Sequence, residues 1–227
     1  MNHLIDFQTA KTLVNNFVSD SVLGQVAVNW ALGGTVGKNH LQLPNQSTGV
    51  MAWFCLDQSA SGNQLPFFLA FEKFSNFTTN PYPSQPANSS LDVANSQFAY
   101  SPGQPVGTLL KTHKESLANP INQVVTSAEV VQFINSFNQN FPKDNNNEKF
   151  NKEPLAFFSN EIPPGETSSD WDQFISQPNL AAIRYYFGYD PTETTNDIRI
   201  VMVGVNSQGE NLLSGNSNDL IIERQIP

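Results

Sequence analysis

Cysteine occurs once in these 227 residues, at Cys55, which excludes an internal disulfide and any zinc site made of several thiolates. Arginine is nearly as scarce, confined to Arg184, Arg199 and Arg224. Against 20 acidic residues stand 11 basic ones, a net charge of −9 and an isoelectric point near 4.6. Neutralising phosphates takes clustered Lys and Arg, so the expected partners include no nucleic acid and no anionic membrane. A protein partner or a homodimer stays open. No apolar run approaches the roughly 18–20 residues that span a bilayer. The N-terminus, Met1 to Asp6, has no basic region followed by an apolar stretch, so a cytoplasmic location is the expectation.

Ligand motifs are also missing. His3, His40 and His113 stand far apart in sequence, with no paired spacing that would suit a metal. No glycine-rich phosphate loop and no G-x-S-x-G elbow occurs. Neither a metal nor a cofactor is expected, and no catalytic residue is assigned. Charged residues make up only 14% of the chain, with Asn and Gln taking up the polar surface. Such a surface suits sugar or peptide recognition, but a merely polar exterior accounts for it more simply.

What is present is a core. Hydrophobic residues are 39% of the chain, and 17 of them are Phe. Residues 6–20 carry Phe7, Ala10, Leu13, Val14 and Phe17 at helical spacing behind a capping Asp6. Residues 126–141 repeat this with Val130, Phe133, Ile134 and Phe137 behind a Thr126–Glu129 capping box. Apolar, aromatic-rich runs at Val50–Leu56 and Leu65–Phe74, and at Ala181–Tyr189 and Ile198–Val205, flank turn-forming segments and read as two β-hairpins. The run 198–205 is apolar on both pleat faces beyond Arg199, which predicts a central strand covered on both sides. Residues 22–33 fit helix or strand, with Gly33-Gly34 ending either. Residues 75–105 are rich in Pro, Asn and Ser and read as a linker or long loop with one strand near Gln97–Tyr100. Ser169 is placed to cap a short helix containing Trp171 and Phe174.

The helix and hairpin recur. Leu4–Phe17 aligns with Val124–Phe137 at an offset of 120 residues, and Trp53–Asp57 aligns with Tyr186–Asp190 at an offset of 133. The expected fold is therefore α+β: two helix–hairpin units with an approximate internal two-fold repeat and mostly antiparallel pairing. The first unit is 1–80, a connection runs over 81–120, and the second unit is 121–227, together one compact domain. The strands Ile183–Asp190 and Val201–Leu213, with Gln177-Pro178 before them, resemble a group of uncharacterised small bacterial proteins of the Bacteroidetes type. That resemblance implies no activity and no site residue.

Candidate positions follow from chemistry. Arg184, Tyr185 and Tyr186 place a cation and two phenols on one strand, where Arg184 needs a ligand carboxylate, Asp170 or Asp172, or solvent at a sheet edge. With Trp53 they are the candidate ligand-binding residues, on an aromatic patch or cleft between the halves. Asp190, Glu193 and Asp197 at a hairpin tip are hard oxygen ligands that leave cation binding open. Cys55, inside an aromatic strand, reads as a core residue. The leading expectation is a non-catalytic binding or interaction module. One alternative is a hydrolase whose acid–base pair comes from Asp57, Asp170, Asp172, Asp190 and Glu161. The other is a self-associating structural protein.

Overall fold

A computed structural model of the chain describes residues 3–20, 23, 32–41, 49–59, 67–75, 85–94, 96–98, 105–117, 122–140, 154–158, 162, 164–192, 198–216 and 218–224. The fold is α+β with entirely antiparallel pairing between its strands. The first expected helix is α1, Phe7–Ser19, and its Asp6 cap accepts from the Thr9 backbone N–H at 2.9 Å. The second is α4, Ser127–Asn140, preceded by the reciprocal pair in which the Thr126 N–H donates to Glu129 at 2.8 Å. Between them the described residues hold two short helices, α2 at Lys38–Leu41 and α3 at Val106–Thr112. A fifth, α5 at Asp170–Ile175, is capped by Ser169, whose hydroxyl accepts from the Asp172 N–H at 3.0 Å.

The hairpins are β3–β4, Gly49–Leu56 with Phe67–Phe74, and β9–β10, Ala182–Tyr189 with Ile198–Val205. Both are in register along their full length, from Gly49 opposite Phe74 and from Ala182 opposite Val205. Shorter strands complete two sheets. These are β1 (Leu4–Ile5), β2 (Gly33–Gly37), β5 (Ser90–Ala94), β6 (Ser96–Phe98), β7 (Asn122–Thr126), β8 (Leu155–Phe158) and β11 (Ile221–Arg224). One sheet runs β1-β11-β10-β9-β2-β6, and the other runs β7-β5-β4-β3-β8. Each sheet is thus centred on the hairpin of one half and extended by strands of the other. The segments 1–80 and 121–227 therefore share one core.

Gly33-Gly34 opens β2, against β9. A side chain at Gly34 would place its Cβ 2.6 Å from the Tyr185 hydroxyl, so the pair of glycines lets two strands lie over a buried phenol. The Pro-rich segment carries two strands rather than one, β5 and β6. Most of residues 22–31 lie outside the described residues.

Strand alternation sets the layers. The inner faces of the two sheets meet through Phe54, Phe67 and Phe71 on one side and Tyr185 and Phe187 on the other. Phe67 and Phe187 have ring centroids 4.5 Å apart. The helices take the two outer faces instead of sharing one. Leu13 of α1 packs over Gly188, while Phe133 of α4 meets Phe68 edge-on at 5.3 Å. At their C-terminal turns both helices feed the central cluster, with Phe17 at 5.6 Å from Phe187 and Phe137 at 5.5 Å from Phe54. The order helix, sheet, sheet, helix explains why β10 is apolar on both faces: it is buried along its whole length.

Candidate functional site

The three side chains singled out on β9 are all buried. Arg184, Tyr185 and Tyr186 are each 0% exposed, and Trp53 is 2% exposed, so they form no exposed aromatic patch. Their sequence pattern, an amphipathic-looking strand, arises because this strand is covered on both sides. Tyr185 points between the sheets and accepts from the Leu69 N–H at 3.2 Å. Burial drives its phenol strongly upward in pKa.

Arg184 and Tyr186 face the other way, under the segment after α3 and the 206–211 turn. The Arg184 guanidinium donates to Thr35 Oγ1 at 2.9 Å, to the Gly209 carbonyl at 3.2 Å, to the His113 carbonyl at 3.3 Å and to Asn211 Oδ1. The Glu115 carboxylate lies 3.8 Å away and accepts from Thr35 Oγ1 at 3.0 Å. The partner is therefore neither Asp170 nor Asp172. Asn211 Nδ2 donates to the Tyr186 hydroxyl at 2.8 Å, which in turn lies 3.2 Å from His113 Nδ1. Burial, helped by the Arg184 charge, pulls His113 down to about 3 and keeps its ring neutral at pH 7. Burial also pushes Tyr186 up to about 12, against the pull of Arg184. Gly209, at φ 79°, makes the turn that presents its carbonyl to Arg184. This network ties β2, β9, residues 113–115 and the 206–211 turn into one block. A guanidinium so fully bonded to protein holds structure together and has little left for a ligand.

Trp53 belongs to a second anchor. Its indole N–H donates to Glu72 at 3.0 Å, on the outer face of the other sheet. Glu72 is 2% exposed and also accepts from the Ala87 and Asn88 N–H groups at 2.7 Å and from Asn88 Nδ2 at 2.8 Å. A buried carboxylate needs such donors in place of water. Its effect is to fix residues 87–88 against the end of β4. Sequence reading passed over Glu72, yet an acid within the aromatic run Phe67–Phe74 was the available signal.

Beside that anchor is a cleft of about 540 Å³, within the usual range for small-molecule sites. Phe71 and Phe74 supply its apolar wall, and Lys73, Asn88, Ser90 and Asp92 its polar one. Asp92 stands 2.6 Å from His40 Nδ1, contributed by α2. Lys73 Nζ donates to the Asn39 carbonyl at 3.4 Å, so α2 is tied to two of the residues that line this cleft. His40 Nδ1 is held by a carboxylate, while its Nε2 has no hydrogen bond to any described residue. None of the lining residues was singled out from the sequence, because they come from two separate segments.

The other candidates do not converge. Asp57 accepts from Ser59, Asp190 from Thr192, Asp172 from the Ser169 hydroxyl, and Asp170 from the His3 N–H at 2.5 Å. Each is used within its own turn, cap or strand end, and Glu161 lies outside the described residues. The expected pair of acid–base carboxylates drawn from these positions is not assembled among the described ones. Glu193 and Asp197 also lie outside them, and Asp190 is 3.9 Å from Arg199. Among the described residues no group of three or more His, Cys, Asp or Glu is arranged to hold a metal ion. Cys55 is buried, and burial drives its thiol strongly upward in pKa, the opposite of an activated nucleophile. No described helix is long and apolar enough to cross a membrane. Comparison with known proteins finds no matching family model, no matching curated protein and no matching solved structure.

Proposed function

We propose that this chain is a non-catalytic binding module whose ligand is a small polar molecule seated in the cleft formed by β4, β5 and residues 87–89. The observation that carries this reading is the cleft itself: edges of two aromatic side chains, Phe71 and Phe74, together with Lys73, Asn88, Ser90 and Asp92, with residues 87–88 fixed by the buried Glu72. A few convergent polar groups on an apolar wall are what small-ligand sites share. The test is a thermal-shift screen of sugars, amino acids and short peptides, repeated on Asp92→Asn and Lys73→Gln. A ligand at 100 times its Kd adds about 2.7 kcal/mol of stability. The reading requires a hit that both substitutions weaken. A hit untouched by either, or a flat screen, overturns it.

One bond favours a second reading. An imidazole oriented by a carboxylate through Nδ1, with Nε2 unengaged, is the arrangement of a general base. Under it His40→Ala abolishes turnover of a hydrolysable substrate while leaving its binding intact.

We also infer that the two halves derive from one duplicated unit. In support, the described elements of each half run strand, helix, short strand, short helix, hairpin, and residues matched by the two offsets make matching contacts. Phe17 packs on Phe187 as Phe137 packs on Phe54, and Asp190 caps its turn through Thr192 as Asp57 does through Ser59.

A further inference from the structure

A second concavity, of about 400 Å³, lies between α1 and α3. Its floor is apolar, formed by Phe7, Val106 and Pro105, and its walls carry Lys11 and Lys111. No acidic residue lines it, although acidic residues outnumber basic ones 20 to 11 in the chain. Neither lysine has an ion pair or hydrogen bond with any described residue. The contrast is Lys114, which donates to Glu210 at 2.8 Å.

The two lysines are nonetheless placed. A Cβ at Gly107 would come within 2.9 Å of Lys11 Cε, so the stem of Lys11 lies across α3 where that helix has no side chain. A Cβ at Gly215 would come within 3.3 Å of Lys111 Nζ. Lysine stems laid along apolar surface keep their ammonium heads in water unless an anion meets them. Here both side chains lie against glycines, and neither head is ion-paired with a described residue, the Asp219 carboxylate near Lys111 being taken up by the backbone N–H groups of its own turn. The groove therefore offers two ammonium groups to an anion on an otherwise acidic protein.

We propose that this groove binds an organic anion with an apolar body, a carboxylate on a short aliphatic chain, with Lys11 and Lys111 meeting the carboxylate and Phe7 and Val106 the chain. This site is separate from the cleft at Asp92 and does not depend on it. The probe is octanoate, titrated calorimetrically into the whole chain beside octanol as the uncharged control, at fixed ionic strength. Octanoate binds at one site and octanol binds at least about tenfold more weakly, the factor expected for a charge-assisted contact. Lys11→Gln with Lys111→Gln lowers octanoate affinity by a similar factor, whereas Lys11→Arg with Lys111→Arg and Lys114→Gln retain it. Matching circular-dichroism melts establish that the variants are folded. Equal binding of octanoate and octanol, unchanged binding by the double Gln variant, or no binding by the wild-type chain each overturns the proposal.

Discussion

His113 provides the sharpest test of the buried network, because its titration converts a structural statement into a slope. Its ring packs 4.4 Å from Phe98 and lies 3.2 Å from the Tyr186 hydroxyl, with the Arg184 guanidinium close by. Burial first, and that charge second, lower its pKa from 6.5 to about 3. A histidine whose folded pKa is depressed binds its proton in the unfolded chain before the folded one. Its contribution is therefore fully present above pH 6.5 and is lost as pH falls toward 3. Each pH unit inside that window costs about 1.4 kcal/mol, so lowering the pH from 7 to 5 destabilises the fold by about 2 kcal/mol through this one group. The carboxylates that are lowered in the folded state, Asp6, Glu129, Asp190 and Glu210, start from 3.8 or 4.5 and act below this range. The assay is urea unfolding at pH 7, 6 and 5 for wild type and for His113→Asn, which preserves a polar atom toward Tyr186 without a titrating ring. Wild type loses about 2 kcal/mol more than the variant over this interval. Parallel lines for the two proteins would refute the claim that His113 is held neutral by burial beside Arg184.

Two further outcomes follow from the core. Phe187 touches Phe17, Phe54 and Phe67, and so joins both sheets and α1. Phe187→Ala should cost about 3–5 kcal/mol and lower the melting temperature by roughly 10 °C, measured by calorimetry; a loss under about 1 kcal/mol would contradict the central placement. Because each sheet contains strands from both halves, fragments 1–118 and 119–227 should lack cooperative unfolding when separate and regain it when mixed, as followed by near-ultraviolet circular dichroism. A cooperative transition in fragment 1–118 alone would show that the exchanged strands are dispensable.

Much of the secondary structure was legible from the chain alone, and for local reasons. Asp6 and Thr126 mark helix starts because a short oxygen-bearing side chain satisfies a backbone N–H three residues on, a bond that needs nothing from elsewhere. The stripes through Phe17 and Phe137 and the two long hairpins are equally local. Cys55 was correctly read as core, since thiols inside aromatic strands are buried.

Tertiary structure alone decided the rest. That β2 joins β9 and β8 joins β3 depends on pairings more than a hundred residues apart, which leave no periodic trace in strands of four or five residues. The partners of Arg184 come from residues 35, 113, 115, 209 and 211, so no neighbouring sequence announces whether the charge meets a ligand or the protein's own carbonyls. The aromatic side chains of β9 looked available for binding because residue type does not record how many layers cover a strand. The cleft residues escaped notice for the same reason. Lys73, Asn88 and Asp92 are ordinary polar residues in their own segments, and only the packing of β4, β5 and residues 87–88 makes them neighbours.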